Sequence, residues 1–257
     1  MLRRQFLASC IALPAIRQTA FADDKSYTMS LWDGGWLGSR RAVGVEIELE
    51  EGWKTYWRMP GESGIPPEFD WKRSDNAGAI TVLYPLPHRF TDASGDTIGY
   101  KERVVFPVLI EPVAPGQPIA LALDLFFAVC RDVCVPGKES LQLMLTSGDK
   151  SEEAHAFQPW LTLVPVPATG PLPVSASTLV IDGDKPALVL TLAKPVADIF
   201  VETEGAAYFR KPDFAADGLS ARIVIDNVKD GGQLAGKTLK LTIDRDGAGL
   251  EQTIMLT

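Results

Sequence analysis

The sequence is short of the residues from which most active sites are made. Three cysteines and two histidines occur in 257 residues. With only His88 and His155, and no G-x-S-x-G or H-E-x-x-H motif, hydrolase triads and zincin sites lack their parts. No glycine-rich loop follows a strand pattern at nucleotide-binding spacing. Long hydrophobic runs are missing too. The apolar run at residues 6–16 falls short of the roughly 20 residues a bilayer span requires, and no later segment approaches that length. Basic residues are the minority, 25 against 33 acidic, for a formal charge of −8. That balance argues against nucleic acid and anionic membrane surfaces as partners.

What is present begins with an export signal. Arg3 and Arg4 precede the apolar run, and Ala20-Phe21-Ala22 offers a small-x-small cleavage site. Arg3-Arg4-Gln5-Phe6-Leu7 matches the R-R-x-F-L core of a twin-arginine signal, which is read by a receptor rather than serving as an anchor. Residues 1–22 are therefore expected to be removed and the remainder to reach the periplasm, without stable membrane insertion. Without the signal, 22 basic residues face 33 acidic ones, a formal −11. Cys10 leaves with the signal, so Cys130 and Cys134 remain in a compartment where disulfides persist.

The rest of the chain reads as many short strands. Over residues 41–50, Val43, Val45, Ile47 and Leu49 alternate with Gly44, Glu46, Glu48 and Glu50, the pattern of a half-buried antiparallel strand. Strands are also expected over 80–84 and 104–110. Residues 119–130 alternate without a break and end on Cys130. Cys134 falls just beyond, in a turn, and Leu141, Leu143 and Leu145 mark the returning strand. Helical spacing of Ala154, Phe157 and Leu161, with Asp149 and Glu152 as a capping box, predicts one helix over 149–164. A proline-rich stretch at 165–173 reads as a stiff linker. Beyond it, Leu188/Leu190/Leu192, Ile223/Ile225, Leu239/Leu241/Ile243 and Leu250/Ile254/Leu256 alternate as strands. The fold class is all-β: two β-sandwich domains, 23–148 and 171–257, joined by a short helix and linker over 149–170.

Chemistry concentrates in Cys130-Arg131-Asp132-Val133-Cys134. A disulfide closing so short a loop removes little unfolded-state entropy, on the order of 2 kcal/mol. Such spacing suits a pair that opens and closes, or one that holds a metal, better than a staple. Arg131 favours a thiolate and Asp132 opposes it. Two thiols without a third ligand fit zinc poorly, whereas copper(I) accepts soft thiolates at low coordination. Redox exchange, copper(I) binding and a structural disulfide thus remain three readings of one pair. Glu46, Glu48 and Glu50 share a strand face and read as solvated charges, not catalytic carboxylates.

The stretch Gly52-Trp53-Lys54-Thr55-Tyr56-Trp57-Arg58-Met59-Pro60-Gly61-Glu62-Ser63-Gly64-Ile65-Pro66-Pro67 resembles a signature in the N-terminal periplasmic region of DsbD-family thiol:disulfide interchange proteins. Tyr84-Pro85-Leu86-Pro87-His88-Arg89-Phe90, Gly99-Tyr100-Lys101-Glu102 and Val129–Pro136 fit in the same order, nearest to the ScsB-like branch associated with copper tolerance. The resemblance implies an immunoglobulin-like domain acting as a protein-disulfide oxidoreductase component with no cofactor and no metal. It implies that Cys134 forms the mixed disulfide and Cys130 resolves it. It also implies that Asp96 and Tyr100 lie in a cap loop shielding the pair, beside the modulating Arg131 and Asp132. Expected partners are thioredoxin-fold periplasmic proteins, and the chain reads either as a free-standing homologue or as the partner of a separately encoded membrane thiol reductase.

Overall fold

The computed structural model describes residues 26–92, 95–148, 151–182, 185–228 and 234–256. The expected signal lies outside them. Ahead of the helix the chain forms ten strands: β1 (Tyr27–Leu37), β2 (Arg40–Leu49), β3 (Lys54–Gly61), β4 (Glu68–Asp70), β5 (Ala77–Val82), β6 (His88–Asp92), β7 (Gly95–Lys101), β8 (Arg103–Pro112), β9 (Ile119–Cys130) and β10 (Cys134–Leu145). They build one sheet in the order β1-β2-β8-β5 and a second in the order β10-β9-β3-β7-β6, with β4 also paired to β9.

Alternation explains the packing. Val43, Val45 and Ile47 of β2 and Phe106, Val108 and Ile110 of β8 point inward against Leu123, Leu125, Phe127 and Val129 of β9. Each contributes roughly 1.5–3 kcal/mol by leaving water. The opposite face of β2 is covered at Ala42 and at Gly44, which lies against Trp32, and it nears solvent only toward Glu46 and Glu48. Glu46 and Glu48 accept hydrogen bonds from Ser30 and Thr28, and both pair with Arg103.

The single described helix, α1 (Ser151–Thr162), is close to the expected one; the proposed capping box lies outside the described residues and side chains. It is not a free connector. Phe157 is fully buried against Trp32, their rings 5.5 Å apart, with Ala42 and Leu109 beside them. A methyl group on Gly34 would sit 2.8 Å from the Phe157 ring, so glycine leaves the helix its seat.

The second sandwich comprises β11 (Val166–Pro167), β12 (Val174–Asp182), β13 (Lys185–Leu192), β14 (Asp198–Glu202), β15 (Tyr208–Phe209), β16 (Asp213–Phe214), β17 (Ser220–Asp226), β18 (Thr238–Arg245) and β19 (Ala248–Met255). Its sheets run β11-β19-β18-β14 and β12-β13-β17-β15, with β16 on β17. The proline-rich stretch is thus partly strand, because β11 pairs in parallel with β19. Most of the chain is strand, in two immunoglobulin-like sandwiches.

The sandwiches also touch directly. Along β14, Ile199 and Val201 face their own core, so Asp198, Phe200 and Glu202 face the other way. Asp198 takes two hydrogen bonds from Arg89, at 2.9 and 3.2 Å. Glu202 takes two from Arg58, both 2.7 Å. Phe200 is buried within the core of the first sandwich. Beside these contacts lies a cleft of about 710 Å³, walled by Met59–Glu62 on one side and Gly205–Arg210 on the other.

Candidate functional site

Cys130 closes β9 and Cys134 opens β10, and the two are directly opposed in the ladder. Cys134 is therefore the first residue of a strand, not a turn residue. Only Arg131, Asp132 and Val133 form the turn. The cysteines are joined by a disulfide, their Cα atoms 4.2 Å apart. Strand alternation decides which way they face. Leu125, Phe127 and Val129 point into the sandwich, so Ala128 and Cys130 point out of it. Cys130 is nonetheless only 7% exposed. Cys134 is half-buried, and its neighbours Val133 and Val135 stand out in solvent at 69% and 46% exposure.

What covers Cys130 comes from β3 and the loop that follows. Tyr56, Ala128 and Cys130 form a small buried cluster, with Ile65 and Cys134 packed against it. The Tyr56 hydroxyl lies 3.2 Å from Cys134 Sγ. Residues 60–65 lie over Tyr56 because Gly64 has no side chain. A Cβ there would fall 2.4 Å from Pro60 and 2.6 Å from the Tyr56 ring. Gly61 turns the chain at φ +92°, in the left-handed region that favours glycine. The Glu62 amide then donates to the Asp96 carbonyl at 3.0 Å.

The remaining expected site residues divide. Asp96 contributes the backbone carbonyl just described, while its carboxylate accepts from Thr91 at 2.6 Å. The segment expected as a cap loop is strand β7. Thr97, Ile98, Gly99 and Tyr100 are all buried, and β7 pairs with β3 so tightly that a Cβ on Gly99 would lie 1.9 Å from the Thr55 carbonyl oxygen. Tyr100 belongs to the sandwich core. Its hydroxyl donates to the Pro85 carbonyl at 2.8 Å, and burial holds its phenol well above the usual range. Arg131 lies over the Trp53 ring at 5.2 Å and pairs with Asp132 at 3.2 Å, so its charge is shared within the turn. The outer face also carries Lys54, opposite Cys130 in the register, buried and donating to the Thr97 hydroxyl at 2.7 Å. Tyr56, Ile65 and Lys54 were not singled out from the sequence. Their only signal was membership of the 52–67 stretch.

Among the described residues, no group of three or more His, Cys, Asp or Glu side chains is placed to hold a metal ion. No described helix is long and apolar enough to cross a membrane.

The site is thus a disulfide between a partly buried cysteine and a buried one, at the tip of a hairpin on an immunoglobulin-like sandwich. Residues 22–146 match the family described as thiol:disulfide interchange protein DsbD, N-terminal. The first sandwich belongs to that family. The tandem as a whole is similar to the N-terminal periplasmic domain of ScsB from Proteus mirabilis, with a TM-score of 0.72 and 22% identity over 91% of this chain and 95% of that one. Also compared were the YadV chaperone (TM-score 0.25, 10% identity, 90% and 100% covered) and the CupB2 chaperone of Pseudomonas aeruginosa (0.21, 10%, 88% and 100%). Those two carry nothing for the fold. Among curated proteins no sequence matches the chain.

Proposed function

We propose that the chain is a periplasmic thiol–disulfide exchange protein that passes reducing equivalents from a membrane thiol reductase to thioredoxin-fold partners. In the reduced protein the Cys134 thiolate attacks a partner disulfide, and one partner sulfur leaves as thiolate. The Cys130 thiolate then attacks Cys134 Sγ, expelling the second partner sulfur. The partner ends as a dithiol and the Cys130–Cys134 pair as a disulfide. Two electrons and two protons from the reductase restore it.

The observation that carries this reading is the asymmetry of the pair. Cys134 is only partly buried and is flanked by the exposed Val133 and Val135, whereas Cys130 is buried beneath Tyr56 and Ile65. An attacking sulfur needs access, and a resolving one needs only its neighbour. A purely structural role is poorly supported, because β9 and β10 are already zipped along their whole length, from Cys130–Cys134 to Ile119–Leu145. A cross-link at the closed end of such a hairpin constrains little that the ladder leaves free.

The test is trapping. Cys130→Ala is expected to accumulate mixed disulfides with thioredoxin-fold proteins in the periplasm, and Cys134→Ala none. Equal trapping by both variants, or by neither, would overturn the assignment. Equilibration with glutathione is expected to give a potential between roughly −150 and −270 mV, whereas a value below about −300 mV marks a structural disulfide.

A further inference from the structure

Tyr56 and Arg58 are two residues apart on β3, and they reach opposite destinations. The Tyr56 hydroxyl touches Cys134 Sγ. Arg58 leaves the first sandwich for the second, donating from Nε and Nη2 to Glu202 at 2.7 Å each, and from Nη2 to Glu251 at 3.2 Å. Its guanidinium lies 4.4 Å from the Trp57 ring and 5.2 Å from that of Tyr84. With a side chain only 23% exposed, this is a part-buried, bidentate pair of the kind that fixes geometry. Lys240 also holds Glu251, at 2.7 Å, so the acceptor side is itself anchored.

The chain beyond Arg58 is held on one side only. Met59, Pro60, Gly61 and Glu62 wall the cleft between the sandwiches, where they meet open space instead of packed side chains. Toward the first sandwich the segment rests on Met59 against the core, on the pairing of Gly61 with Thr97, on the Glu62–Asp96 backbone bond and on Ile65 against the cysteine cluster. A segment with packing on one face and two glycines in its path opens locally at low cost unless its ends are fixed. Arg58 fixes one end.

We infer that Arg58 is a positioning residue through which the second sandwich, by way of Glu202 and Glu251, holds the Tyr56 hydroxyl and residues 60–65 over the Cys130–Cys134 pair and so governs how fast the pair is reached. The second sandwich is then part of the redox site's control. The inference deepens the proposed exchange function but needs only the pair's accessibility. A pair that never exchanged with a partner would still be shielded in this way.

The experiment follows reduction of the oxidised full-length protein by dithiothreitol, a neutral dithiol that gives two protein thiols as it closes to its cyclic disulfide. Four variants are compared well below their unfolding temperatures: Glu202→Ala/Glu251→Ala, Arg58→Met, Arg58→Lys and Arg89→Met. The first two are expected to raise the reduction rate by about fivefold or more, a typical scale for coupling between sites, with Arg58→Lys in between. Arg89→Met removes the other ion pair at the junction without touching β3, and is expected to leave the rate unchanged while lowering stability. The Glu variants leave the first sandwich's sequence intact, so they decide the matter if Arg58→Met folds poorly. Unchanged rates in the Glu double variant, or the same acceleration in Arg89→Met, would overturn the inference. Failure of partner trapping with these rates confirmed would overturn the exchange function and leave the positioning role standing.

Discussion

Phe200, a residue of the second sandwich, packs its ring 5.7 Å from that of Trp57 in the first, and both side chains are almost wholly buried. Arg89 closes over the other side, its guanidinium 5.1 Å from the Phe200 ring. The two sandwiches therefore share one piece of core, and the expected consequence is coupled unfolding. Calorimetry on the intact chain should show a single transition. Phe200→Ala should cost about 3–5 kcal/mol, the usual loss for a buried Phe, and should separate the transition into two. Two transitions already present in the parent protein would show that the shared contact does not couple the domains.

That junction is also where reading the sequence ran short. In Asp198-Ile199-Phe200-Val201-Glu202 the apolar residues run together, and nothing in the pattern assigns Ile199 and Val201 to one core and Phe200 to another. The proline-rich stretch nearby reads as a spacer, although β11 is built from it. β9 was legible from end to end because one of its faces is core and the other is not. β3 was not, because Lys54, Thr55, Tyr56 and Trp57 are all buried, with Trp57 in the core and Tyr56 beneath residues 60–65. Alternation disappears when both faces are covered. β7 hides for the same reason, which is why its residues read as a loop. The cysteine pair itself was plain from its spacing, but its burial depends on residues far away in sequence.

A second prediction concerns acid. Asp124, on the outer face of β9, accepts two hydrogen bonds from Arg73, at 2.6 and 2.7 Å, and one from Ser140 at 2.6 Å. The Arg73 bonds, then the Ser140 bond, hold its carboxyl down at about 2. A lowered carboxyl stabilises the fold at pH values above its ordinary range, and that contribution fades as pH falls through about 2. Carboxyl carbon NMR should find Asp124 still ionised where most carboxylates have protonated. Arg73→Met should move its midpoint upward toward the ordinary value. A midpoint that ignores the loss of Arg73 would remove the ion pair as its cause.

The last prediction concerns the hydroxyl at the redox pair. In the disulfide form, Tyr56 Oη sits 3.2 Å from Cys134 Sγ, and the ring is buried against Cys130 and Ala128. When the pair is reduced, the same hydroxyl can donate to a Cys134 thiolate but gains little from a neutral thiol. A hydrogen bond to the charged form favours that form. Tyr56→Phe keeps the ring and its packing and deletes only the donor, so the fold and the shielding of Cys130 should persist. The pH midpoint for alkylation of Cys134, followed in the Cys130→Ala background, should move upward. Alkylation at neutral pH should slow accordingly. Because the thiolate belongs to the reduced state, losing its stabilisation should also make the pair's potential more negative, by about 30 mV for each tenfold loss in the equilibrium. That change should be largest above the thiol midpoints, where the reduced pair is charged, and should fade below them, where both sulfurs are protonated. If the hydroxyl serves packing alone, neither the midpoint nor the potential moves, and the contact has no electrostatic part in the exchange.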